Sequence, residues 1–128
     1  MANHNPSTET TNLAVLRGVV VDDPVVRVLA SGSTVVQFDV TTETASTDPD
    51  GSPTRASVPV SWHDPSASAL DSLRGAPEIV VIGTVRRRFF RVGGATQSRT
   101  EVVAAEVIPA RRRRAVESAI ARVVAILA

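Results

Sequence analysis

Two arginine clusters are the residues of this chain whose type and spacing suggest chemistry. Arg86-Arg87-Arg88 runs directly into Phe89-Phe90-Arg91, and Arg111 to Arg114 are consecutive. From 86 to 114 there are nine arginines and only two acids, Glu101 and Glu106. All 14 basic residues are arginine, and with 13 acids the chain has a net charge of +1. That balance hides a polarity: residues 1–54 hold two arginines and seven acids, whereas residues 55–128 hold twelve arginines and six acids. A guanidinium can grip a phosphate through two parallel hydrogen bonds and can also stack on a ring. A local excess of this size therefore makes a polyanion the first partner to consider.

Other chemistries find little support. The chain has no cysteine, which removes disulfides, thiolate nucleophiles and cysteine-ligated zinc. His63 has only His4, in a polar leader, as a second histidine, too little for a triad or a metal site. The serines lack the context of a nucleophile elbow. Gly93-Gly94 reads as a hairpin turn, not a phosphate loop. Asp22 and Asp23 are explained by the turn before Pro24. No enzyme activity, cofactor, metal or small-molecule substrate is expected. The opening MANHNPSTETT is polar, without the basic region and apolar run of a signal peptide. No apolar stretch reaches bilayer length, so a cytoplasmic location without membrane partners is expected.

The elements that must position these residues are mostly strands. At 128 residues one domain is expected, and the valine-rich, aromatic-poor apolar fraction favours β-structure. Residues 1–11 read as a disordered tail. Residues 12–29 are β-rich but interrupted by Gly18, the mark of a bulge or bend, and by Asp22-Asp23-Pro24. Val35 to Thr44 alternates, with Val36, Phe38 and Val40 on one face and Phe38 in the core. Residues 45–54 form a loop. Arg55 to Trp62 alternates again, with Val58, Val60 and Trp62 together and Pro59 demanding an edge or a bulge. A short helix over Ser66–Leu73 is predicted, capped by Asp64 and closed by Gly75. Glu78–Phe90 and Arg99–Ile108 are the last strands, joined through Gly93-Gly94.

Strand, strand, strand, short helix, strand, strand is the order of the OB-fold, a five-stranded Greek-key barrel with its helix between the third and fourth strands. The expected class is all-β, with the barrel over 12–109. Residues 110–128 read as a C-terminal amphipathic helix, because Val116, Ile120, Val123 and Leu127 form one stripe. It is expected to pack on the barrel or on a partner subunit. Four arginines at a helix N-terminus oppose the macrodipole. They are read as touching phosphate or pairing with acids of another subunit.

Several of these segments carry a resemblance. Asn12-Leu13, Gly18, Asp23-Pro24, Val26-Arg27 and Gly32 resemble the opening of bacterial single-stranded DNA-binding proteins. Val35–Thr42 resembles their second strand, Gly83-Thr84-Val85 with Arg86–Arg88 the start of their long hairpin, and Arg99–Val103 their fifth strand. The resemblance covers roughly 12–108. It implies a homo-oligomer (a dimer or tetramer) that holds single-stranded DNA with little sequence preference in replication, repair or recombination. Such proteins stack bases on aromatic side chains. Here there is no tyrosine, one tryptophan and three phenylalanines, and Ala56 stands where the third strand usually carries a tryptophan. Trp62 falls on a phenylalanine position and Phe90 on the hairpin tryptophan. The family's acidic C-terminal tail is absent, so this is a divergent member by resemblance.

The candidate nucleic-acid-binding residues are Trp62, Arg86, Arg88, Phe90, Arg91, Arg55 and Arg99. Alternation puts Arg86, Arg88 and Phe90 on one outer face if Val85 points into the barrel. Two guanidiniums beside a ring suit a phosphate–base–phosphate path. Stacking is worth about 1–3 kcal/mol per base, so the missing rings weaken binding. Trp62 is read either as a stacking platform or as a core or subunit-interface residue. Phe89, on the opposite face, is read as core or hairpin packing. From a different class, the alternative is a divergent assembly or adaptor module using the barrel edge and C-terminal helix; RNA is a further possible ligand.

Overall fold

The computed structural model describes residues 9–44 and 49–128. The tail expected over 1–11 and the loop expected over 45–54 thus lie partly outside the described residues, and His4 does so entirely. Glu9 to Leu13 belong to no helix or strand.

The elements are β1 (Ala14–Val20), β2 (Val25–Val28), β3 (Thr34–Thr44), β4 (Thr54–His63), α1 (Ala67–Arg74), β5 (Ile79–Val92), β6 (Ala95–Pro109) and α2 (Arg113–Leu127). The strand order is β1-β5-β6-β4-β3-β2, and a further β1–β3 pairing closes the sheet into a barrel. β1 and β2 are the two halves of the first barrel strand, broken at the Asp22-Asp23-Pro24 turn. β4 runs parallel to β6 only over Val60–Trp62, so Pro59 has no ladder partner on that side while it pairs with Asp39 of β3 on the other. β4 lies between β3 and β6 and is not the edge strand that the missing N–H of Pro59 suggested.

Closure happens at Gly18. β1 pairs with β5 from Ala14 to Gly18, then with β3 at Val19 and Val20. A Cβ at Gly18 would run into the Thr41 carbonyl oxygen and the Val40 side chain. Only glycine lets the strand cross that closely.

The barrel interior is filled by alternate residues of the strands: Val36, Phe38 and Val40 of β3, Val60 and Trp62 of β4, Ile79 and Val81 of β5. The intervening residues of β5, Val80 and Ile82, point outward and are covered by α2 through Ala119 and Val123, with Ile108 of β6 beside them. The helix's buried stripe therefore runs through Val116, Ala119 and Val123. Leu127, expected in that stripe, is exposed, one turn past Val123, the last helix residue that is buried.

Helix α1 also departs from expectation. Its N-cap is Ser66, whose hydroxyl accepts from the Ala69 N–H. Asp64 instead turns back to β3, accepting from the Thr34 N–H at 2.7 Å and the Thr34 hydroxyl at 3.3 Å. The Thr34 backbone bond holds its carboxyl below the ordinary carboxylate range. Asp64 sits at φ 47°, a left-handed turn conformation that aspartate tolerates and that lies outside the extended backbone an N-cap adopts. Gly75 closes the helix as expected. Among the described residues no helix is long and apolar enough to cross a membrane.

Candidate nucleic-acid interface

β5 and β6 are longer than their apolar patterns suggest. They stay paired as far as Val92 opposite Ala95, joined by Gly93 and Gly94 at φ 58° and 83°. Two successive positive φ values are those of the tight turn that suits the strand twist and that glycine takes freely. The last barrel residue of β6 here is Val102, in the core. Beyond it, residues 87–100 form a two-stranded arm exposed on both faces save for Phe90, which is half-buried. The arm projects roughly 20 Å along its strands. It carries Arg87, Arg88, Arg91 and Arg99, both remaining phenylalanines, and no acid.

The register divides the arm into two chemically different faces. Arg86 lies opposite Glu101, Arg88 opposite Arg99, and Phe90 opposite Gln97. Arg87 lies opposite Thr100, Phe89 opposite Ser98, and Arg91 opposite Thr96. The first set faces the outer surface of β3 and β4. Arg99 reaches Asp39 of β3 at 3.5 Å, and Glu101 joins β6 to β4 by accepting from the Ser61 hydroxyl at 2.7 Å. We call this the groove face. At the arm's base, Asn12 donates to the Val85 carbonyl and accepts from the Val85 N–H, at 2.8 and 2.7 Å. This pins the segment leading into β1 to β5.

Glu101 is the electrostatic centre of the groove face. It is 3% exposed, and Arg86 donates to it twice, at 3.2 and 2.6 Å. Arg88 stands 3.9 Å away. Burial pushes the Glu101 carboxyl up, but the bonds from Arg86 and Ser61 and the charges of Arg86 and Arg88 outweigh it and hold the group below its ordinary value. Counting back from a two-residue turn at 93–94 places 86 opposite 101, so this pairing was readable from the chain, yet sequence reasoning passed over Glu101.

The remaining candidates are scattered. Arg55 lies at the far end of β4, paired with Glu43 at 3.3 Å. Arg91 is on the opposite face of the arm and donates to the Gly94 carbonyl at 3.3 Å. Trp62 is 8% exposed and belongs to the barrel core. It shares its face of β4 with Val58 and Val60, so its ring packs among the core residues of the barrel. Phe89 reverses in the other direction. Read as core or hairpin packing, it is 66% exposed, because the arm extends past the barrel of its own chain. The structure thus brings together Arg86, Arg88, Arg99 and Phe90, and leaves Arg55, Arg91 and Trp62 apart.

Between β2, β3 and the root of β6 lies a cleft of about 290 Å³ whose lining includes Arg27, Arg99, Asp22, Asp23, Asp39 and Glu101. It is a mixed-charge surface without an exposed ring. Arg111 to Arg114 lie at the other end of the hairpin, where Pro109 of β6 pairs with Ile79 of β5. Arg112 donates to the Ser72 hydroxyl of α1 at 3.3 Å, and the helix begins without a side-chain cap. This second basic patch is separate from the arm.

No protein-family model matches the sequence, and no curated protein matches it. Among solved structures, the single-stranded DNA-binding protein of Plasmodium falciparum, in complex with single-stranded DNA, aligns with a TM-score of 0.68 at 18% identity. That alignment covers 80% of this chain and 96% of the other. A deletion mutant of the single-stranded DNA-binding protein from Thermus aquaticus aligns with a TM-score of 0.63 at 22% identity, over 77% of this chain and 50% of that one. This chain has the OB barrel fold of those proteins.

Proposed function

We propose that this protein binds single-stranded DNA with little sequence preference, using the β5–β6 arm and the outer surface of β3 and β4 at its base. The observation that carries the reading is the arm: four arginines, two phenylalanines and no acid on a ribbon projecting from an OB barrel. Guanidiniums can take phosphates while a ring takes a base of any identity. Stacking takes any base and phosphate contacts carry no sequence information, so sequence preference should be slight. The same fold in proteins named for single-stranded DNA binding supports the reading. The protein would protect or organise unwound DNA in replication, repair or recombination, as a cytoplasmic homo-oligomer.

Arg86, Arg88, Arg99 and Phe90 form the proposed contact nearest the barrel. Arg91 belongs to the arm's other side, and Arg55 would touch only a strand long enough to follow β4 to its end. Most of the positive charge here is compensated, since Glu101, Asp39 and Glu43 occupy Arg86, Arg99 and Arg55, with Arg88 sharing Glu101. That balance favours a second reading, an assembly or adaptor module with weak or no nucleic-acid binding.

Titration of a labelled oligo-dT at two salt concentrations separates the two. DNA binding predicts affinity that falls with salt, by about 0.7 logarithmic units per tenfold salt for each phosphate neutralised. No binding at low salt would leave the adaptor reading.

A further inference from the structure

The arm's other face has what the groove face lacks. Phe89 is 66% exposed, an exposure that folding alone does not reward. The Arg87 guanidinium carbon lies 5.9 Å from the centre of its ring. That guanidinium is held by two bonds to the Ser98 hydroxyl, at 3.1 and 2.9 Å, donated by Nε and Nη2. Arg91 stands two residues beyond Phe89 on the same face. Among the described residues neither Arg87 nor Arg91 has a carboxylate partner. The cross-strand neighbours are Thr96, Ser98 and Thr100, which are small, neutral and able to donate hydrogen bonds.

We propose that this face is a second single-stranded DNA strip, with Phe89 stacking a base and Arg87 and Arg91 holding phosphates on either side. It rests on the reading that the protein binds single-stranded DNA. The occupant follows from charge and shape. Two unpaired cations with a ring midway, spread over roughly 13 Å of strand, match a few nucleotides of a chain alternating phosphate and base. A protein partner would meet a face whose arginines ask for acids on both sides of one ring.

The arrangement has a physical consequence. A short strand can satisfy only one face of the arm, whereas a long one can pass around the Gly93-Gly94 tip and occupy both. Phe89 should therefore matter more to long strands, which need both faces, than to short ones, which can fall back on the groove face.

The test uses the whole chain and two paired variants, Phe89→Ala with Arg91→Ser, and Phe90→Ala with Arg88→Ser. Each is measured by anisotropy against oligo-dT of about 6 and about 30 nucleotides, bracketing the roughly 4–16 that one OB-fold covers. The Phe89/Arg91 pair should weaken the short oligonucleotide less than the long one, because the groove face remains open to it. It should weaken the long one by about tenfold or more, the loss of one stacked base with its phosphate contact. The Phe90/Arg88 pair should weaken both. Unchanged long-strand affinity in the Phe89/Arg91 variant would overturn the second strip while leaving the groove intact. Equal loss at both lengths would also overturn it, making this face the single site. A changed oligomeric mass with unchanged affinity would assign the face to protein contact instead. If the parent binds neither oligonucleotide, it is the DNA reading itself that fails.

Discussion

Replacing Glu101 with glutamine should move stability and DNA affinity in opposite directions. The buried carboxylate accepts two bonds from Arg86 and one from Ser61. Glutamine keeps the shape, and its single carbonyl oxygen can accept from Arg86 while its NH2 donates to the Ser61 hydroxyl, but the bonds from Arg86 lose their anionic acceptor. Bonds to charged groups contribute about 1.5–3 kcal/mol. Because the Arg86 side chain is 42% exposed and can be rehydrated, the loss should sit near the lower part of that range, about 2 kcal/mol. For a domain of this size that lowers Tm by roughly 8 °C. DNA affinity should rise instead, because the carboxylate occupies the guanidinium that a phosphate would use. Removing a unit charge about 6 Å from a phosphate in water is worth about 0.7 kcal/mol, about threefold in Kd. One further phosphate contact should steepen the salt slope by about 0.7.

The assays are a thermal melt and an oligo-dT titration at two salt concentrations, run well below both melting points. If Glu101→Gln binds more weakly than the parent while folded, the carboxylate aims Arg86 at the strand and does not compete for it, and the reasoning is wrong. Acid gives an independent check. The Glu101 carboxyl is held below its ordinary value near 4.5, so its contribution to stability is fully present above that pH. It is lost as pH falls through the lowered folded value. The stability gap between parent and variant should thus be constant at neutral pH and close below about pH 4.5.

Three more outcomes follow from the packing. Gly18→Ala should destabilise the barrel by about 1–3 kcal/mol or more through its clash with the Thr41 carbonyl, read as a lower denaturant midpoint; an unchanged midpoint would mean β1 does not close on β3 there. Trp62 fluorescence should be that of a buried indole and should not be quenched by oligo-dT at saturation, whereas strong quenching would return its ring to the binding surface. Val123→Ala should cost about 1–3 kcal/mol by opening the contact of α2 with Val80 and Ile82, and a neutral effect would show the helix to be loosely docked.

Much of the barrel is a local matter. Alternation in β3 and β4 follows from the two-residue period of a strand, so Val36, Phe38, Val40 and Val60 had to share a face, and one face had to be buried. The Gly93-Gly94 pair set the hairpin register, because few other residues take two positive φ values in succession. By that register the pairing of Arg86 with Glu101 was also in reach. The proline and glycine positions marked the broken first strand and the end of α1.

What the chain order could not decide is which faces meet something. Alternation places Phe89 and Phe90 on opposite sides of the arm, but their exposure depends on where the barrel stops beneath them. Trp62 lies with the core where β4 pairs with β6, a contact between residues 42 apart in the chain (Trp62 with Ala104). Leu127 is bare although it continues the apolar stripe, since burial of α2 ends at Val123. Whether Arg86 is available to a phosphate likewise depends on tertiary geometry, which buries one carboxylate beside it and leaves Arg87 and Arg91 facing solvent. Periodicity governs direction, and only the packed structure supplies the neighbours.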